Sequence, residues 1–354
     1  MDRNQNDPTR RITQQALKTQ IRGFKKWIST FLTVGVRLLA ATLFLILLSN
    51  AVKPETPEAQ ISNGIINATL LLPDAKDGYY RGVRFDWSGV ISDLTFKGHH
   101  YFGKWFDRYE PTLHDAIMGP VDAYDPIGYD LAKPGEPFVK IGVGTVEKIA
   151  DEPYAFVKPY RLINGGSWKT KKNGKNSIQY EHTLTDSLCS YRYTKTIVLT
   201  PGKPELVIQY RLLNTGSTPI ETNVFNHNFF VMDEQPTGPD FTVAFPFAPI
   251  GDPKGKSTAG VLDGKVIRYR EQLNKGEFFA VAPLTGFGSS AVDYNLLVSN
   301  TKTKMSVRIV GDQPIVKFVY WSAARTLCPE PFNHVAVDAG KEQQWTITYT
   351  FMAE

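Results

Sequence analysis

Cysteine is scarce in this chain: Cys189 and Cys328 are the only two among 354 residues. Two thiols exclude a disulfide-built scaffold and a structural zinc site made of cysteines. Also missing are a fixed-period repeat, which excludes a propeller or solenoid, and, beyond residue 60, any amphipathic helical pattern of three turns. Charge of one sign is lacking too, once the chain is divided. The net charge of +5 comes from a head, residues 1–51, that holds eight bases and two acids; the remainder holds 32 bases and 33 acids. A body without an overall basic field argues against nucleic acid as a partner.

What is present begins with that head. Residues 1–26 are a basic segment, and residues 27–52 are apolar apart from Arg37 and a few small polar residues. The run is about the 20 residues that cross a bilayer, and its uninterrupted part, 38–48, has the length of a signal-peptide core. A cleaved signal and an uncleaved anchor both fit, and the long basic lead favours the anchor. Either predicts an N-terminal apolar helix and an exported or membrane-anchored body, because the bases precede the apolar run. Residues 53–60, rich in Pro and Glu, read as a linker.

Residues 61–354 read as one all-β domain. Runs rich in β-branched and aromatic residues recur between turn signals at 194–199, 205–213, 222–230, 305–310, 315–321 and 344–351. Asn173-Gly174 marks a hairpin tip inside the basic stretch 171–176. So many strands over nearly 300 residues bury their inner faces best as a large antiparallel β-sandwich. Cys189 and Cys328 read as buried free thiols, with a disulfide as the alternative in an oxidising compartment.

Several polar groups invite a chemical reading. Gly142-Val143-Gly144 lacks the third glycine and the helix of a nucleotide fingerprint, so it reads as a turn. His99-His100 has no third ligand at metal-site spacing, and neither a metal nor a cofactor is expected. Two segments stand apart. In 223–230, the polar triplet Asn226-His227-Asn228 interrupts an apolar strand, which places Asn226 and His227 either toward a polar cavity or on an edge. In 321–333, Glu330 lies between Pro329 and Pro331. Each proline fixes its own φ, and Pro331 drives Glu330 toward an extended conformation. A carboxylate held so rigidly suits a general base; a solvent-exposed loop glutamate is the plainer alternative.

With these segments the chain resembles the aldose 1-epimerase (galactose mutarotase-like) superfamily. The resemblance is carried by Asn226-His227-Asn228-Phe229-Phe230, then Cys328-Pro329-Glu330-Pro331, Ala339-Gly340-Lys341-Glu342 and the closing strand 345–351, in that order. It covers residues 160–354 and fits 61–160 only loosely. It implies a supersandwich of antiparallel sheets, a mono- or oligosaccharide partner and no cofactor. It also implies catalytic roles: Glu330 ionised to take the anomeric hydroxyl proton, and His227 protonated to give one to the ring oxygen, from opposite sides of a hexose-sized gap. Asn164 stands where the family's sugar-contacting His belongs. Arg81, Arg84 and Arg161 are candidates for the arginine that holds substrate hydroxyls; Trp168 and Asn226 complete the expected binding set. Tyr80, Trp87 and Trp105 offer further faces for a sugar to stack on. Two other readings stand beside this one: a non-catalytic carbohydrate-binding protein on the same scaffold, and a polysaccharide-acting enzyme such as a lyase.

Overall fold

The structure is a computed structural model that describes Thr19, residues 22–27 and residues 56–354 apart from Lys256. Two units separate, Met1–Glu55 and Thr56–Glu354. Of the first, Thr19 and residues 22–27 are helical. The expected apolar helix at 27–52 lies, Trp27 excepted, outside the described residues; among those, no helix is long and apolar enough to cross a membrane.

The second unit is built of antiparallel strands, as the β-rich runs predict. Its larger sheet has ten, in the order Gly260–Asp263, Val266–Tyr269, Phe241–Ala244, Asn295–Asn300, Met305–Gly311, Glu342–Ala353, Glu205–Asn214, Tyr191–Leu199, Ser177–Leu184 and Ser167–Asn173. The second sheet has six: Pro253–Gly255, Phe278–Leu284, Lys317–Ala323, Thr326–Val337, Ile220–His227 and Val121–Tyr124. A four-stranded sheet near the start of the unit and a three-stranded one (Pro137–Lys140, Gly144–Glu147, Arg161–Asn164) complete it.

Side chains alternate across these strands as a half-buried sheet requires. Along Tyr191–Leu199 the residues Tyr191, Tyr193, Lys195, Ile197 and Leu199 are fully buried, while Arg192 is exposed. Along Glu205–Asn214 the buried set is Leu206, Ile208, Tyr210, Leu212 and Asn214. Each large apolar side chain so buried contributes about 1.5–3 kcal/mol. The hairpin tip at Asn173-Gly174 is present, with Ser167–Asn173 paired to Ser177–Leu184 and Gly174 at φ 68°. Both thiols are buried and free.

Boundaries differ in three places. A strand starts at Glu58, because Glu58 already pairs with Leu71, so the end of the stretch read as a linker belongs to the body. The strand expected over 222–230 ends at His227, and the one expected over 315–321 starts at Lys317. The end at His227 shapes the site.

Candidate active site

The outer face of the six-stranded sheet, turned away from the large sheet, carries a cavity of about 420 Å³. That lies within the roughly 300–1,000 Å³ of small-molecule sites. Register explains its floor. Phe225 pairs with Phe332 across the strands Ile220–His227 and Thr326–Val337. Two residues further along each strand, in the antiparallel sense, His227 comes opposite Glu330, with Nε2 3.3 Å from Oε1. On the other side of the same strand Val319 pairs with Glu330 and Lys317 with Phe332. All these residues share one strand parity and line the cavity floor.

The two prolines fit the point where the ladder opens. The Pro329 carbonyl accepts from Asn228 Nδ2 at 2.7 Å, so the peptide edge of Pro329, and of Pro331 by alternation, faces the strand that ends at His227. The Phe332 carbonyl faces the other way and accepts from Val316 N at 2.9 Å. A proline inside a sheet forfeits a ladder bond; the ladder between these two strands stops at Phe225–Phe332, and both prolines lie beyond it. Glu330 is therefore a strand residue 5% exposed, not a solvated loop glutamate.

Loops from residues 79–160, with the end of the strand Pro137–Lys140, roof the floor. They supply Arg84, Trp105, Asp115, Lys140, Tyr154 and Phe156. Arg84 forms an ion pair with Asp115 and lies over the rings of Phe156 and Phe85, 3.8 and 4.5 Å from their centroids. The His227 ring is fixed by Phe229, stacked nearly parallel at 3.8 Å, and by the edge contact of Phe85 at 5.6 Å. Its Nδ1 is buried without a partner among the described residues.

Burial dictates the charge state of the pair. It drives His227 well below the usual histidine value, and the Arg84 charge adds to this. It pushes Glu330 up to about 8, with Arg84 opposing and Asp115 reinforcing. Near neutral pH the pair accordingly rests as a neutral imidazole against a protonated carboxyl. This departs from the ionised glutamate and protonated histidine expected above. The two groups also touch rather than flank a gap. At this separation a proton can pass from one to the other.

Of the sequence candidates, His227, Glu330 and Arg84 meet in the cavity, together with Trp105. The rest do not line it. Asn226, one residue out of parity, points into the sandwich and donates to Asp122 Oδ1 at 3.0 Å. The Arg81 guanidinium donates to the Lys76 carbonyl, and Arg161 pairs with Glu147 on the exposed side of the three-stranded sheet. Asn164 holds a turn, its Oδ1 accepting from Gly166 N at 3.0 Å. Trp168 stacks on His182 at 4.3 Å, and Tyr80 and Trp87 are core residues. His99 and His100 each meet a carboxylate, Asp233 at 2.7 Å and Asp93 at 2.8 Å. Gly142 is a turn residue at φ 75°, where a Cβ would stand 2.6 Å from Asp86 Oδ1. Lys140, Tyr154 and Asp125 line the cavity without having been singled out from sequence.

No protein-family model matches the chain, and no curated protein matches it in sequence. Solved structures do match in fold. A galactose mutarotase-like protein from Clostridium acetobutylicum is 12% identical with a TM-score of 0.52, covering 86% of this chain and 98% of that one. A galactose mutarotase related enzyme from Lactobacillus acidophilus is 12% identical with a TM-score of 0.51, covering 84% and 98%. A candidate aldose 1-epimerase from Escherichia coli K12 is 11% identical with a TM-score of 0.50, covering 84% and 99%. The chain has the galactose mutarotase-like fold.

Proposed function

We propose that this galactose mutarotase-like sandwich is an aldose 1-epimerase-type enzyme that interconverts sugar anomers through the His227–Glu330 pair. The observation that carries the reading is the 3.3 Å contact between the two groups on the floor of a cavity, both nearly excluded from water. Anomer interconversion needs a proton delivered to the ring oxygen and another withdrawn from the anomeric hydroxyl. The pair holds one mobile proton and has room for one more exchange.

In the resting state that proton is on Glu330. Passing it to His227 Nε2 creates a carboxylate and an imidazolium; the Arg84 charge favours the first and opposes the second. The imidazolium protonates the ring oxygen while Glu330 takes the anomeric hydroxyl proton. The bond between C1 and the ring oxygen breaks, and an open-chain aldehyde forms. Rotation about the C1–C2 bond and the reverse transfers close the ring as the other anomer. Each turnover returns the proton it borrowed, so nothing is consumed. Trp105, which stacks on Phe229 at 5.0 Å and meets Trp321 edge-on, supplies the apolar wall that a sugar face packs against.

The test is anomer exchange followed by NMR over a panel of aldoses, with wild type compared with Glu330→Gln. The amide keeps the shape and cannot take a proton, so the accelerated rate is expected to fall by about 100-fold or more. Acceleration that survives the substitution, or its absence on every sugar, would overturn the assignment. Sugar binding without any exchange would leave a carbohydrate-binding module.

A further inference from the structure

The proton-transfer pair leaves one group in the cavity without a task. Lys140, the last residue of the strand Pro137–Lys140, is 3% exposed and lines the cavity with Arg84 and Glu330. Among the described residues its Nζ has no carboxylate partner; its one hydrogen bond runs to Tyr154 Oη at 3.1 Å. An ammonium has three hydrogens to give, so two remain. Tyr154 Oη accepts from the lysine, and no protein acceptor among the described residues takes its own hydrogen. A buried amine and a half-buried phenol thus stand side by side at one cavity, with their remaining hydrogens unassigned.

The surroundings hold this arrangement in place. The Tyr154 ring stacks on Tyr160 at 5.5 Å and meets Tyr129 edge-on at 5.3 Å. The other charges of the cavity do not neutralise the amine. Arg84 is matched by Asp115, and Asp125, whose Oδ2 accepts from Asn223 Nδ2 at 2.9 Å, forms no ion pair with Lys140. Lys317, at the rim over the Phe332 ring, has no carboxylate partner among the described residues either. Burial also draws the Lys140 ammonium down to about 7, with Asp125 opposing and Arg84 reinforcing. A buried amine this poorly compensated gains most from an anion that arrives with a ligand.

We infer that Lys140 and Tyr154 form a receptor for a carboxylate, and that the sugar this cavity takes is an acidic one of the uronic acid class. Two adjacent donors match the two oxygens of a carboxylate, one from the amine and one from the phenol. A phosphate, with more oxygens and more charge, would call for a denser set of donors. The inference rests on the sugar-site reading above and narrows it to a substrate class.

Calorimetric titration of the full chain with galacturonate, galactose and galactose 6-phosphate tests it. Wild type is expected to bind galacturonate about tenfold or more tightly than galactose, the gain of a charge-assisted contact. Lys140→Met and, separately, Tyr154→Phe should shrink that ratio, the lysine change to near unity. The phenylalanine variant removes one oxygen and guards against a folding failure of the first. Equal affinity for galacturonate and galactose, or a ratio untouched by both variants, would overturn the receptor. Tightest binding of the phosphate would overturn the carboxylate assignment. No binding of any sugar would remove the sugar-site reading itself, whereas neutral binding without an acidic preference removes only this subsite.

Discussion

Of the three lysines buried among the described residues, Lys140, Lys148 and Lys195, the first and last lie on opposite sides of the six-stranded sheet, and their surroundings are opposite. Lys195 is fully buried between the sheets, with Nζ 2.7 Å from Asp122 Oδ2, 3.4 Å from Asp86 Oδ2 and 2.9 Å from the Ser88 carbonyl. Tyr210 and Asn226 donate to Asp122 as well, each at 3.0 Å. Lys140, in the cavity on the outer face, has one neutral partner. Burial pulls both ammonium groups down; for Lys195 the two carboxylates more than reverse this, and for Lys140 nothing does. The contrast separates a polar cluster that holds the fold from one that awaits a ligand. Paired charges mark the first, unassigned donors the second.

The largest effect is expected from breaking the completed cluster. Lys195→Met leaves two buried carboxylates facing one another without a counter-charge, which costs about 3–5 kcal/mol when a buried pair loses one member. Urea unfolding of wild type and variant measures it. A loss below about 1 kcal/mol would show that the cluster is not structural.

Lys140→Met is expected to act with the opposite sign. The native Lys140 value lies below its unfolded value, so both states are protonated below about 7 and the full burial penalty is present there. Between that value and the ordinary lysine range the unfolded chain binds the extra proton, and wild-type stability rises with pH. The methionine variant escapes the penalty. It should be the more stable protein near pH 6, with its advantage closing by up to about 1.4 kcal/mol per pH unit as pH rises toward 9. Glu330 is common to both proteins and cancels in the difference. A variant less stable than wild type at pH 6 would mean that Lys140 is compensated after all.

How much of this could be read from residues alone follows from what alternation can and cannot tell. Period-two runs such as 194–199 and 205–213 marked the sheets, because strands buried on one face write their pattern into the sequence. The Asn226-His227-Asn228 triplet and the Pro-Glu-Pro segment marked the floor of the site, since each breaks an otherwise apolar strand. Alternation also says that Asn226 and His227 face opposite ways. It does not say which of them faces the cavity, and that depends on Asp122 and Tyr349, far away in sequence. Lys140 was illegible for a related reason. In Phe138-Val139-Lys140-Ile141 a lysine looks like an ordinary solvated position; Tyr154 and its stacked neighbours, from a separate loop, are what enclose it. Lys140 apart, the roof residues come from loops within 79–160, which have no periodicity to read.

The smallest effect tests whether the two sides of the sheet communicate. Tyr349 Oη lies within hydrogen-bond distance of Asn226 Oδ1 and, at 2.7 Å, of Asn228 Oδ1. It thereby fixes the residues before and after His227 from the inner side, while the imidazole works on the outer. Tyr349→Phe removes that anchor and nothing that touches the cavity. The loss in stability should be about 1 kcal/mol, the usual size for one buried hydrogen-bonding group. If the inner cluster sets the outer pair, the 3.3 Å separation of His227 and Glu330 must relax as well. The 15N resonance of His227 Nε2 reports that directly, since it depends on the proton shared with Glu330. A shifted resonance with the stability loss makes Tyr349 a positioning residue for the pair. An unmoved resonance at the same stability loss makes the inner cluster a purely structural one, and the two faces of the sheet independent.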